Sequence, residues 1–179
     1  MCLSIETPIP KFASKTLPSR REATDLSRFY FDNIYIQLPF FLETSFWTSV
    51  EAVYQDNGRF AKPFDHWIVR IVLATSLASP SQRMIADPQH SLRLIAAALD
   101  YAEDVLRPGS VLGIQAVMLL AQYALINPEY FRPHYLVGLA ARVMVDLGLH
   151  QDPSRESRTD EGQLERRRRV FWGVYSLDR

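Results

Sequence analysis

One cysteine in 179 residues, Cys2, removes two kinds of architecture at once. No internal disulfide can form, and no thiolate zinc module can be assembled, because such modules need several cysteines at short spacing. Formal net charge is zero, so no whole-molecule field gathers DNA or an anionic membrane, and nucleic-acid binding would have to rest on a local patch. Long apolar runs are missing too. The longest, VLGIQAVMLLAQYALI at 111–126, carries Gln115 and Gln122; it is short and polar for a bilayer span and reads as a buried core helix. The N-terminal stretch MCLSIETPIPKFASKTLPS has no apolar core of the signal-peptide kind and no periodicity. Residues 1–18 read as a flexible leader, with one domain over 19–179, and secretion is not supported.

The chemistry of enzymes is scarce as well. There is no glycine-rich phosphate loop and no Gly-x-Ser-x-Gly turn, and the histidines His66, His90, His134 and His150 fall on different predicted elements without ligand spacing. The residues therefore nominate no catalytic, cofactor-binding or metal-ligating group, and an enzyme is disfavoured.

What is present is the material of a packed fold: 47% apolar and 12% aromatic residues. No stretch alternates with period two over a strand length, so the chain reads as all-α, about seven helices with short connections that predict antiparallel packing. Ser19 with Glu22 makes a capping signal for a helix over 20–37, stopped at Pro39. A second helix is expected at 45–55, ended by Asn57-Gly58, and a third at 66–78 capped by Asp65. Asp87-Pro88 opens a fourth over 88–106. Ser110 caps a fifth that ends before Asn127-Pro128, and a sixth covers 133–147. No 34-residue self-similarity links the helix pairs, which disfavours a tetratricopeptide-type array. In ARVMVDLGLHQDP, Gly148 after Leu147 suits a left-handed cap, with Leu149 folding back onto Met144. His150 near the carboxyl end of that helix reads as a capping residue.

The seventh helix holds the run Arg166–Arg169 in LERRRRVFWGVYSLDR. Residues 150–179 contain seven arginines and six acids, a mixture that favours a salt-bridged surface over a polybasic arm. With Leu164 at 0° on a helical wheel, Tyr175 lies at about 20°, Phe171 at about 340° and Trp172 at about 80°. Val174 lies at about 280°, so the apolar face spans about 280° to 80°; Arg167 and Arg168 enter it or its edges and require partners, with Asp178 and Asp146 as candidates, while Arg166 and Arg169 point outward. Glu165 and Arg169 are spaced as an exposed i, i+4 pair.

LGLHQDP, followed some residues later by ERRRRVFWGVYSLDR, resembles the signature of the fungal-specific transcription factor domain. This is the middle homology region of zinc binuclear cluster regulators, also called the xylanolytic transcriptional activator regulatory domain. The segments PSRREATDLSRFYFDNIYIQLPFF, GIQAVMLLAQYALI and YLVGLAARVMVDLGLH are similar to its opening helix and central helix pair, in the same order. The motif residues carried by the resemblance are Leu147, Gly148, Leu149, His150, Arg167, Arg168, Phe171, Trp172, Tyr175, Asp178 and Arg179. It implies an irregular multi-helix regulatory domain, noncatalytic and nuclear, that acts on transcription through a linked six-cysteine zinc cluster. That cluster is not in this chain, so no cofactor is expected here and DNA is reached only indirectly. The family domain normally runs past the Asp178-Arg179 pair, which implies a partial domain truncated at its C-terminus, and a protein partner, self-association or a small-molecule effector is expected. A stand-alone helical protein-interaction scaffold is the alternative. No membrane role is implied.

Overall fold

A computed structural model describes residue 9 and residues 16–83, 87–107, 109–151 and 161–179. Most of the leader and the Asp152–Asp160 end of the HQDP stretch thus fall outside the described residues. Ile9 and Leu17 pack against the core, and the Tyr54 hydroxyl donates to the Pro18 carbonyl at 2.9 Å. Burial of Tyr54 pushes its phenol up to about 12.

Among the described residues the chain is all-α, without a strand. In chain order the helices are α1 (Arg20–Asn33), α2 (Glu43–Tyr54), α3 (Pro63–Ala78), α4 (Pro80–Arg83), α5 (Pro88–Leu99), α6 (Ala102–Val105), α7 (Val111–Ile126), α8 (Pro133–Asp146) and α9 (Glu161–Asp178). Short 3-10 turns follow α1 at Tyr35–Gln37 and α2 at Gln55–Gly58. Helix starts follow from capping chemistry. Ser19 accepts from the Glu22 amide, Asp87 from Gln89 and Ser110 from Gly113, and each bond satisfies an amide left free in the first turn.

Three expected spans are corrected. The third helix begins at Pro63, not residue 66, because Asp65 acts from inside the first turn: its carboxylate accepts from the Lys62 amide at 2.8 Å. Proline at the first position costs no hydrogen bond there. The first helix stops at Asn33 and the chain tightens into a 3-10 turn rather than continuing to 37. The expected helix over 88–106 is broken after Leu99. At the break the Tyr101 ring stacks on His66 with centroids 4.7 Å apart, and the Arg70 guanidinium lies 5.6 Å from the Tyr101 ring centre. These contacts require the chain to turn toward α3.

α3 and α7 form the centre. Every residue from Trp67 to Ala78 and from Gly113 to Ala124 is buried. α1, α2, α5 and α7 surround α3, and α8 and α9 pack on α7. Several of the polar groups inside are partnered across elements. Trp67 Nε1 donates to the Ala116 carbonyl at 3.2 Å, Gln115 Nε2 to the Phe40 carbonyl at 2.8 Å and the Tyr30 hydroxyl to Gln122 Oε1 at 2.5 Å. Ser76 ties α3 to the Leu26 carbonyl at 2.9 Å, and Ser91 ties α5 to the Ala74 carbonyl at 2.8 Å. Tyr30, Phe31, Tyr35, Phe40, Phe41 and Phe46 pack edge-to-face and stacked beneath the α1–α2 connection. No described helix is long and apolar enough to cross a membrane.

The buried Tyr30–Gln122 bond generates a test. Tyr30→Phe strands the Gln122 amide in the core and should destabilise the fold by about 1–3 kcal/mol. Adding Gln122→Met should recover much of that loss, as read by urea denaturation of the single and double variants.

Candidate functional site

Two places gather charged side chains against the core. The first lies between α3 and the α5–α6 break. Arg70 is 8% exposed; its Nη1 donates to His66 Nδ1 at 2.8 Å, and its Nε is buried without a hydrogen-bond partner. His66 is squeezed between Tyr101 and Gly58, where a Cβ would lie 2.7 Å from the imidazole Cε1. Gly58 also has φ +76°, following Asp56 and Asn57 at positive φ; only glycine is free of both penalties. Burial lowers the His66 pKa, and the Arg70 charge lowers it further, against smaller opposing effects of a backbone hydrogen bond at Gly58 and the Asp65 charge. Arg70 remains a guanidinium cation, since its ordinary pKa lies far above neutrality. Arg70 Nη1 in this cluster faces the His66 ring and, at 3.4 Å, the His66 carbonyl.

The second place is the C-terminal end of α8 together with α9. α8 ends in a paired backbone cap: the Leu149 amide donates to the Met144 carbonyl at 3.0 Å and the Gly148 amide to Val145 at 2.9 Å. Gly148 has φ +61°, the left-handed geometry that this cap requires. Leu149 is buried at 5% exposure while His150 is exposed. Arg167 Nη2 then donates to the Gly148 carbonyl at 2.9 Å. A cation thus sits at the negative end of α8 and ties it to α9.

α9 is rotated relative to expectation. Its buried residues are Val170, Gly173 and Val174, with Leu177 packed on the core. Phe171 is half-buried, whereas Trp172 and Tyr175 are 59% and 41% exposed. Arg168, expected inside, is exposed, and Arg169, expected outside, is the half-buried one. Arg169 bonds Glu165 at 2.9 Å and also meets the Tyr35 hydroxyl. Asp146 and Asp178, the expected acid partners, are both exposed; the Gly148 carbonyl takes the role on Arg167.

The cause is Gly173, whose lack of a side chain carries no weight in a wheel drawn by hydrophobicity. A Cβ there would lie 2.5 Å from Met118 Cε and 3.0 Å from Phe40 Cβ. The missing side chain is what lets α9 lie directly on α7. The signal was present in the wheel: Val170, Gly173, Val174 and Leu177 fall between about 180° and 280°, a face of small and medium residues that draws less notice than the aromatic one. Shallow grooves of about 410 and 360 Å³ flank Trp172, the first bordered by Pro39 and the second by Leu149 and His150.

Of the remaining histidines, His134 lies tilted against Tyr135, ring centres 4.3 Å apart, and His90 lies in the first turn of α5. Among the described residues no three histidine, cysteine or acidic groups gather as a metal site would.

What these elements define is a helical domain in which arginines and glycines serve helix-to-helix docking. The sequence profile of the fungal specific transcription factor domain matches residues 28–179, and the chain belongs to that family. Its relatives include a positive regulator of purine utilization from Emericella nidulans, 25% identical over 95% of this chain and 21% of that protein. An ABC-transporter-regulating transcription factor from Aspergillus oryzae is 28% identical over 92% of this chain and 19% of its own length. Pyrimidine pathway regulatory protein 1 of Saccharomyces cerevisiae is 38% identical, over 37% of this chain and 7% of its own length. The chain spans about a fifth of the first two relatives. No solved structure matches it at a significant level.

Two outcomes follow from the geometry. Arg167→Ala should cost about 1–3 kcal/mol through loss of a charge-assisted bond to a helix end, Gly173→Ala about 1–3 kcal/mol through overpacking, and Arg168→Ala should leave the melting temperature unchanged; thermal melts of the three variants check this. For His66, the unfolded chain binds more protons wherever pH lies between the lowered folded pKa and the ordinary 6.5. Its contribution is therefore present above about 6.5 and lost as pH falls through the folded value. The stability difference between wild type and His66→Gln, measured in urea at a series of pH values, should shrink as pH falls below 6.5.

Proposed function

We propose that this chain is the regulatory part of a nuclear transcription regulator and modulates transcription without touching bases itself. The family match over residues 28–179 carries the reading, and the relatives named as regulators support it. The local chemistry agrees with it. Arg167 is engaged by a backbone carbonyl and Arg169 by Glu165 and Tyr35, so half of the arginine run is occupied in packing rather than free for phosphates. A six-cysteine zinc cluster cannot be built from Cys2 alone; DNA contact, where it occurs, belongs to a linked segment outside residues 1–179, and this chain takes no zinc. It is noncatalytic, and its output passes through protein or small-molecule contacts.

Fused to a heterologous zinc-cluster DNA-binding domain in a fungal cell, the chain should change reporter transcription relative to the DNA-binding domain alone. The isolated chain should bind DNA no more tightly than its Arg166→Ala and Arg168→Ala variants. Sequence-specific DNA binding by the isolated chain that weakens steeply with salt would overturn the reading.

A further inference from the structure

At the α5–α6 break, three segments meet on one imidazole. Arg70 Nη1 reaches His66 Nδ1 at 2.8 Å, and a guanidinium only donates. Nδ1 must therefore accept, so the ring is neutral and carries its proton on Nε2. That second nitrogen lies on the Gly58 side, where the imidazole makes its backbone hydrogen bond. Tyr101 stacks on the same ring, with 4.7 Å between centres and 13° between planes. The Gln55–Gly58 turn, α3 and the start of α6 are thus joined by a side chain that fits in one protonation state.

We propose that the His66–Arg70 contact is an acid-released latch: a proton on His66 Nδ1 sets N–H against N–H, drives the two cations apart, and frees α6 from α3 while the α3–α7 centre stays packed. Arg70 is 8% exposed and its Nε already lacks a partner, so losing the imidazole leaves a buried cation poorly held. The Tyr101 ring, 5.6 Å from that guanidinium, is displaced with it. α6 is the element that moves. It is a single turn, Ala102–Val105, with Val105 as its buried residue, and one turn has no stability of its own. Such segments occupy the low end of the range of local opening energies.

Charges from the surrounding elements fix the sign. On α3 itself, Asp65 favours the imidazolium, but Arg70 opposes it more strongly. The Asp65 carboxylate is also engaged elsewhere, accepting from the Lys62 amide at 2.8 Å and the Ser49 hydroxyl at 2.7 Å. Tyr54 from α2, and Tyr101 and Asp100 from the break, face Arg70 and favour its cation; Glu22 of α1 faces the Tyr54 phenol. Arg70 therefore keeps its charge, and the imidazole is the group that changes state. The closed latch binds a proton less readily than the open one, so opening takes up a proton once pH falls below the ordinary histidine value of 6.5. The opening constant is flat above that value, rises by up to about tenfold per pH unit below it, and levels off once the closed form is protonated too.

Native-state hydrogen exchange of the full chain, followed by NMR between about pH 7.5 and about pH 5.5, tests this. The probes are the amides that close α6, Asp104 and Val105 on the Tyr101 carbonyl and Leu106 on the Ala102 carbonyl. Corrected for intrinsic rates, their opening should increase as pH drops below 6.5, while amides in the middle of α7 open far more rarely throughout. Nitrogen shifts of the His66 ring should show the proton on Nε2 at neutral pH. In His66→Asn, which offers Arg70 an amide oxygen and does not titrate, α6 opening should be independent of pH. Arg70→Met should move the His66 midpoint up toward 6.5. The exchange and the ring shifts of the unaltered chain decide the matter even where a variant fails to fold. Opening of α6 that is indifferent to pH, a ring proton on Nδ1, an unchanged acid response in His66→Asn, or α6 and α7 opening together with one constant would overturn the proposal.

Discussion

Two helices buried on every side need something other than amphipathicity to set their rotation, and in this chain α3 and α7 are both of that kind. A helix with an apolar stripe is oriented by which side it hides; one that is apolar all round is not. The polar atoms that these helices carry inside resolve the ambiguity. Trp67 Nε1 must reach Ala116, Gln115 must reach Phe40 and Gln122 must reach Tyr30. Each group left unpaired in the core would cost more than the bond contributes. Few rotations of α3 and α7 satisfy all three at once, so the bonds select one.

From that choice the rest of the placement follows. Gln115 holds the Phe40 carbonyl, and Phe40, fully buried, presents its Cβ beside Gly173. Met118 on α7 completes the same contact. The rotation of α7 therefore positions the surface on which α9 lies, and the absence of a side chain at Gly173 sets how closely. Arg167 then finds the Gly148 carbonyl at the end of α8, and Arg169 finds Tyr35. The arginines are divided by a contact that involves none of them.

Helix ends were legible because they depend on local chemistry: Ser19, Asp87, Ser110 and Gly148 act within a few residues of themselves. The family was legible from LGLHQDP and ERRRRVFWGVYSLDR for a related reason, since such signatures are stretches of adjacent residues. The break at Asp100–Tyr101 was not, because it is made by His66 and Arg70, some thirty residues away in sequence. The rotation of α9 was not either. A wheel weighted by hydrophobicity favours large aromatic residues, whereas close helix contact favours small ones, and the two criteria point to faces nearly half a turn apart. Arg168 and Arg169 exchanged roles for that reason alone.

The outward aromatic face of α9 is the geometric complement of the inward glycine. A helix that docks through Val170, Gly173 and Val174 has no way to hide Trp172 and Tyr175 behind the same contact. Leaving Trp172 59% and Tyr175 41% exposed forgoes part of the roughly 1.5–3 kcal/mol that full burial of a large apolar side chain contributes, and α9 is held by close packing on Met118 and by the Arg167 bond. The fold of this chain therefore does not draw on that face for its own stability.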